Sequence, residues 1–276
     1  MVVHVCELLL KRKLKTAIVS RGYGAKNSQT PNDEAMELLA RLPDVPHVQN
    51  PDRVAAAIES ITEHDAEVIV LDDGFQHRRI ERDLDIVLVD ASNPFGYDYL
   101  LPRGLLREPV RSLDRAGMIV ITRCESVEPD AIDSIVHRVG QVTSAPIALA
   151  RTVADGLVQK DGGHFDLSHL HSGNWFVFSA IGNPANFEKS LEYFSCNIVG
   201  SRTFRDHHIY SDEDHEQLSS ESTRSGADFI VCTHKDLVKL APEKLALPVY
   251  AIRIGIEIID GQDMFESAID EVLMSQ

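Results

Sequence analysis

The stretch Glu67-Val-Ile-Val-Leu-Asp-Asp-Gly-Phe-Gln-His77 restricts the fold of this chain more than any other. Its apolar run, Val68 to Leu71, reads as a strand buried on both faces, ended by two acids and a glycine. Such a strand belongs inside an open α/β sheet, where ligands gather at the carboxyl ends of the strands. Adjacent carboxylates at that end suit a hard divalent cation such as Mg2+, which can clamp nucleotide phosphates. Asp72-Asp73-Gly74 has the composition of a plain solvated turn as well. Gln76 and His77, directly after it, tilt the reading toward a site.

A chain of 276 residues with 43% hydrophobic composition can bury a substantial core in one large domain or two smaller ones. The formal charge of -16 argues against a nucleic-acid partner and against attraction to an anionic membrane through net charge. Cys6, Cys124, Cys196 and Cys232 lie far apart and form no C-x-x-C pair, so the expected compartment is reducing. No apolar run is long enough to span a bilayer, and the first residues lack a signal-peptide pattern; a soluble chain is expected.

The order of elements predicts alternating strands and helices. A helix over 1–13 is followed by a strand over 16–19 that runs into Ser20-Arg-Gly-Tyr-Gly24, where Arg21 could reach a phosphate or the segment could be a simple turn. Pro31-Asn-Asp-Glu34 resembles a helix start capped by Asn32, which accounts for Asp33 and Glu34 without catalysis. Helices are predicted over 52–63 and 129–142, and strands over 85–89 and 118–122. Arg103, Arg107, Arg111 and Arg115 recur every fourth residue, but Pro109 prevents a continuous helix, and solvated charge is the favoured reading of Arg111 and Arg115.

Near Ala148 the character changes. An extended connector over 151–158 leads to a second series: strands over 175–180, 197–204 and 228–232, with helices over 186–193 and 212–223. A long alternating strand over 248–259 is expected to return as a two-stranded connector, before a closing helix from Gly261. The expected organisation is a core over 1–147, a smaller α/β lobe over 148–252, and a returning strand and helix over 253–276.

Two polar clusters end strands of this second series. Asp206-His207-His208 reads as metal ligands, as a histidine oriented by an acid, or as a polar loop. Thr233-His-Lys-Asp236 resembles the Thr/Asn-Lys-x-Asp pattern that reads purine bases, and equally a helix start capped by Thr233.

Ser20-Arg-Gly-Tyr-Gly24, Asp33-Glu34, Leu71-Asp-Asp-Gly-Phe-Gln-His77, Leu106-Arg-Glu-Pro109, Ile181-Gly-Asn-Pro184, Phe204-Arg-Asp-His207 and Thr233-His-Lys-Asp236, in this order, resemble the tetraacyldisaccharide 4'-kinase family. The resemblance covers essentially the whole chain, and its Asp-Asp-Gly-Phe-Gln-His element is highly specific. It implies a P-loop NTPase-like α/β fold, mostly parallel with helices on both faces, plus the smaller α/β lobe. It also implies ATP-dependent phosphorylation of the 4' hydroxyl of a lipid-linked glucosamine disaccharide in lipid A biosynthesis.

By the same resemblance, Asp72 and Asp73 match the Walker B acids, with Gln76 and Glu108 near Mg2+. Arg107 matches a phosphate contact and Arg53 an active-site basic residue. Asp33 matches the catalytic acid and His207 its partner in activating the sugar hydroxyl. Arg21, Gln76, His77, Thr233, Lys235 and Asp236 are the expected nucleotide contacts. The implied location is cytoplasmic, peripheral to the inner membrane. The family's phosphate loop, G-x-x-x-x-G-K-[ST], does not occur in these 276 residues and is expected just before the opening helix. The alternatives are a non-catalytic relative that binds lipid or nucleotide, and a metal phosphohydrolase built on Asp72, Asp73 and the 206–208 cluster.

Overall fold

The computed structural model describes residues 1–22, 33–206 and 208–275. Helix α1 (Val2–Lys11) precedes β1 (Thr16–Ser20), α2 (Asp33–Arg41), β2 (His47–Gln49), α3 (Arg53–His64), β3 (Val68–Leu71), β4 (Ile86–Asp90), β5 (Met118–Thr122) and α4 (Pro129–Gly140). There follow β6 (Ile147–Val158), β7 (His164–Phe165), β8 (Trp175–Ser179), α5 (Pro184–Tyr193), β9 (Ile198–Thr203), α6 (Asp212–Arg224), β10 (Phe229–Thr233), α7 (His234–Leu237), β11 (Val249–Asp260) and α8 (Gln262–Met274). No helix among the described residues is long and apolar enough to cross a membrane.

Local chemistry sets several boundaries. The Asp52 carboxylate accepts from the backbone N–H groups of Val54 and Ala55 at 3.1 and 3.2 Å, satisfying two orphan donors where α3 begins. Ser211 and Asp214 form a reciprocal capping box at the start of α6. Pro129 opens α4, where its missing N–H and fixed φ carry no penalty.

The strands form two sheets. The smaller has the order β2-β1-β3 and is wholly parallel. The larger runs β4-β5-β6-β11-β10-β8-β9, with β7 alongside β6. Two parallel blocks meet in it at one antiparallel seam, where β6 and β11 pair from Ala251 against Val158 to Asp260 against Leu149. The two-stranded connector expected from the alternation over 248–259 is thus present as β6 paired with β11, one long ribbon in the middle of the sheet.

Strands β5 and β8 are sealed on both faces, as their continuous apolar runs require. Helices α1 and α8 cover one face of the β5–β6 region through Leu8, Leu9, Phe265 and Ile269. At ~25 cal/mol per Å2 of apolar area, each such side chain contributes roughly 1.5–3 kcal/mol toward closing that layer. Val68 and Val70 of β3 and Ile86 of β4 join the same cluster, so the two sheets share a core although no ladder connects β3 to β4.

β3 departs from expectation. It is half-buried along its length, because only its β1 edge is paired and the other borders a cleft of about 820 Å3. That cleft is lined by Val68 to Leu71 on one side and Ile86 to Leu88 on the other.

Candidate active site

The same cleft ends at the acids. Met1, Asp72, Asp73, Gln76 and Arg107 all line it, so the amino-terminal end of α1, where helical N–H groups point outward, opens beside the two carboxylates. The Asp72 N–H donates to Val19 O at 2.9 Å, which continues the β1–β3 ladder to the strand tip and brings Ser20 and Arg21 alongside. Asp73 then turns into the left-handed region at φ 52°. Gly74 follows where a Cβ would stand 2.8 Å from Leu71 Cβ, so the tight return of the chain depends on its absence.

Asp73 is held by Arg107 in a fork, with Nη2 donating to Oδ1 at 2.7 Å and Nη1 to Oδ2 at 2.8 Å. Asp72 has no side-chain donor among the described residues, and burial together with the Asp73 charge raises its proton affinity. A cation would relieve both effects. Arg53, the first residue of α3, is buried at 4% exposure; one guanidinium nitrogen donates to Asn50 O at 2.9 Å and Nε has no partner. Burial and the neighbouring Arg21 charge lower its pKa, while Asp73 and Asp72 act in the opposite sense. A buried, under-partnered guanidinium beside two acids is disposed to take an anion that arrives with a metal.

Among the expected neighbours, Gln76 is exposed and His77 half-buried with its Nε2 unpartnered. The His77 carbonyl accepts from Arg82 Nη1 at 2.7 Å, and Arg82 is itself fixed to Asp85 through Nε at 2.6 Å. Glu108 accepts from Arg115 Nη2 at 2.8 Å, which holds its carboxyl below the ordinary range. Arg115 lies over the Phe75 ring at 4.4 Å. The expectation that Arg115 is solvated surface charge is therefore corrected: it is half-buried and clamps Glu108 to the Asp-Asp-Gly-Phe-Gln-His turn. The only signal for it in the sequence is an acid seven residues earlier.

On the opposite side, Thr233 caps α7, its Oγ1 accepting from Asp236 N at 3.2 Å. Asp236 is fully buried and its carboxylate accepts from Thr233 Oγ1 at 2.6 Å, Tyr210 Oη at 2.9 Å and Ala180 N at 3.2 Å. The helix-cap alternative describes this turn. The Asp236 carboxylate is engaged by these three internal donors. Lys235, by contrast, reaches Asp206 Oδ1 at 3.1 Å at the tips of β9 and β10. His208 is engaged by Asp214 at 3.0 Å and stacked on Phe204, so it belongs to the α6 start rather than to an ion site.

His207 lies outside the described residues, and of Asp33 only the backbone, at the first position of α2, is described. Glu37, one turn beyond Asp33, approaches His234 Nδ1 at 3.8 Å, and Arg41 Nη1 donates to Ile254 O at 2.6 Å. Helix α2 is thereby fastened to α7 and β11. No group of three or more His, Cys, Asp and Glu side chains able to enclose an ion occurs among the described residues.

A mostly parallel α/β protein with paired acids at a strand tip and arginines converging on them is of the class that binds nucleotide phosphates. The sequence matches the tetraacyldisaccharide-1-P 4'-kinase family over residues 1–274, and the chain belongs to that family. It is 33% identical over 291 residues to a tetraacyldisaccharide 4'-kinase of Anaeromyxobacter sp. (strain Fw109-5), covering 98% of this chain and 77% of the relative. A Geobacter metallireducens protein of the same name is 33% identical over 292 residues, covering 99% and 83%. The crystal structure of the "apo" form of LpxK from Aquifex aeolicus, in complex with ATP, superposes with a TM-score of 0.78 at 26% identity and covers 98% of this chain and 82% of that one.

Proposed function

We propose that the protein transfers the terminal phosphoryl group of ATP to the 4' hydroxyl of a tetraacyl glucosamine disaccharide 1-phosphate, a step of lipid A biosynthesis. Family membership over the whole chain supports the reaction, and one structural observation carries the site: the Asp72-Asp73 tip of β3, forked to Arg107 and faced by buried Arg53. Residues 1–147 form the nucleotide core in this reading, 148–252 the second lobe, and 253–276 the returning strand and helix.

Asp72 and Asp73 would hold Mg2+, with Gln76 and Glu108 close by and phosphate and water completing the shell, as this ion prefers when few protein ligands are offered. The bound ion would neutralise charge on the phosphates. Arg107 and Arg53 supply the remaining positive charge, and Arg107, now bonded to Asp73, is placed to exchange that partner for a phosphate oxygen. Arg21, His77, Thr233 and Lys235 are assigned to the nucleotide, with Asp236 supporting Thr233 by accepting from its Oγ1. Asp33, with His207, takes the proton from the sugar hydroxyl as it attacks. The reaction takes place at the cytoplasmic face of the inner membrane, where a lipid-linked substrate resides.

The test is transfer of label from γ-labelled ATP to the tetraacyl disaccharide 1-phosphate. In a chain that carries the family's phosphate loop, Asp72→Asn and Asp73→Asn are expected to lower kcat by about 100-fold or more, the scale of losing one preorganised electrostatic group, with unchanged far-ultraviolet circular dichroism. Wild-type rates in both variants would remove the acids from the mechanism. Phosphate release from a phosphoester without ATP would replace the kinase reading with hydrolysis.

A further inference from the structure

Between β4 and Arg107 the chain makes a tight excursion over residues 96–106, Gly-Tyr-Asp-Tyr-Leu-Leu-Pro-Arg-Gly-Leu-Leu. Its large apolar side chains face solvent: Tyr97 is 70% exposed, Leu105 60%, Leu101 57% and Leu100 46%. These exposures are held by a fixed backbone. Leu105 N–H donates to Gly96 O at 2.9 Å, Leu106 N–H to Tyr99 O at 3.2 Å, and Leu101 N–H to Leu106 O at 2.9 Å. Gly104 sits where a Cβ would come 2.2 Å from Tyr99 O and 2.5 Å from Gly96 O, so no other residue closes the loop this way. Tyr97 and Asp98 both adopt φ 63°, a left-handed conformation that L side chains disfavour. Strain and a close-packed glycine thus keep leucines and a tyrosine turned outward.

The charges of the loop fit one kind of surface. Asp98 is bound by Arg138, and Glu108 just beyond the loop is bound by Arg115. Arg103 lies over the Tyr99 ring at 3.6 Å, and no carboxylate among the described residues pairs with it or with exposed Arg111. Leucine and tyrosine interleaved with unpaired arginine is the chemistry of the boundary between lipid headgroups and acyl chains, where the apolar parts insert and the guanidinium reaches up to phosphate. Leu105 is two residues, at most about 7 Å of chain, from Arg107, which holds Asp73.

We infer that loop 96–106 is the edge by which the protein sits on an anionic lipid bilayer, inserting Leu101 and Leu105 beside the site entrance while Arg103 contacts lipid phosphate. The inference rests on the proposed lipid-linked substrate. It places a local cationic and apolar contact on a chain whose net charge of -16 would otherwise oppose approach to such a surface.

The test is co-sedimentation of the full chain with vesicles of 70% phosphatidylcholine and 30% phosphatidylglycerol. Leu101→Glu/Leu105→Glu is expected to lower the vesicle partition coefficient at least 10-fold and Arg103→Glu to lower it on these vesicles but not on pure phosphatidylcholine. Tyr193→Glu/Ile209→Glu, which alters apolar residues exposed elsewhere at 84% and 69%, is expected to bind as wild type does. Melting temperature is measured for every variant, so that a folding defect is recognised as such. Failure of the wild type to bind, full binding by Leu101→Glu/Leu105→Glu, or equal loss in both double variants would overturn the inference. Phosphorylation of detergent-dispersed substrate separates this outcome from failure of the kinase reading. Leu101→Glu/Leu105→Glu should retain that activity while losing turnover on vesicle-embedded substrate, whereas wild-type inactivity on dispersed substrate counts against the kinase alone.

Discussion

Asp236 offers the sharpest division between a supporting and a contacting role in the Thr233-His-Lys-Asp236 turn. Its carboxylate is fully buried and takes three donors, two on Oδ2 from Thr233 and Ala180 and one on Oδ1 from Tyr210. Burial, reinforced by the Asp236 charge, pushes the Tyr210 hydroxyl well above the ordinary tyrosine range, so that proton stays on Tyr210 as the donor. Hydrogen bonds to a charged group contribute about 1.5–3 kcal/mol each, and Asp236→Ala would leave the Ala180 N–H and the Tyr210 hydroxyl buried without acceptors. Since these terms share one network and do not add, the expected loss is about 3–5 kcal/mol, much of the 5–15 kcal/mol typical of a whole domain. Asp236→Asn can keep its oxygen toward Thr233 and Ala180 and turn its amide toward the Tyr210 oxygen, which can accept. That variant should lose only about 1–2 kcal/mol and keep its KM for ATP within about 3-fold, a difference of less than 1 kcal/mol. Urea unfolding together with ATP saturation kinetics reads both quantities. Wild-type stability in Asp236→Ala, combined with a rise of 10-fold or more in KM for ATP in Asp236→Asn, would refute the supporting role and make the carboxylate a nucleotide contact.

Three further outcomes are expected. Asp33→Ala and His207→Ala should each lower kcat more than they raise KM, and the double variant should lose less than the sum of the two in free energy; additive losses would separate the residues. Arg115→Ala should destabilise by about 1–2 kcal/mol by removing the Glu108 pair and the stack on Phe75, and should lower kcat through a loosened turn at Gln76; an unchanged urea midpoint would return Arg115 to the surface. For Asp214, burial raises the pKa but is outweighed by hydrogen bonds from Ser211 and His208, leaving it at about 2 against the ordinary 3.8. A depressed folded pKa contributes stability above the unfolded value that is lost as pH falls through the folded one. The thermal destabilisation by Asp214→Asn, about 1 kcal/mol at neutral pH, should therefore shrink between about pH 4 and pH 2; a constant difference across that window would contradict it.

The elements of this fold are legible in the sequence wherever a local rule governs them. Asp52 and Ser211 mark helix starts, four apolar residues in a row mark β5 and β8, and the acids after Leu71 mark a strand tip. The alternation over 248–259 points to a two-stranded connector, but which residues pair in it is not legible this way. Nothing near Arg151 or Glu257 announces that they face each other across the β6–β11 seam, because each strand alternates well enough to pair with many partners. The half-exposure of β3 has the same origin: Val68 to Leu71 are as apolar as the residues of β5, and what differs is that one neighbour is a cleft. Ligands in open α/β sheets bind in crevices outside the carboxyl ends of the strands. Here the interruption between β3 and β4 leads to Asp72 and Asp73, and the chain leaving β4 returns through the 96–106 excursion to bring Arg107 onto Asp73. The acids are thus readable as a motif, whereas the groups that complete them come from elsewhere in the chain, Arg53 from the start of a helix packed on β1 and β2 and Arg107 from a loop 34 residues away.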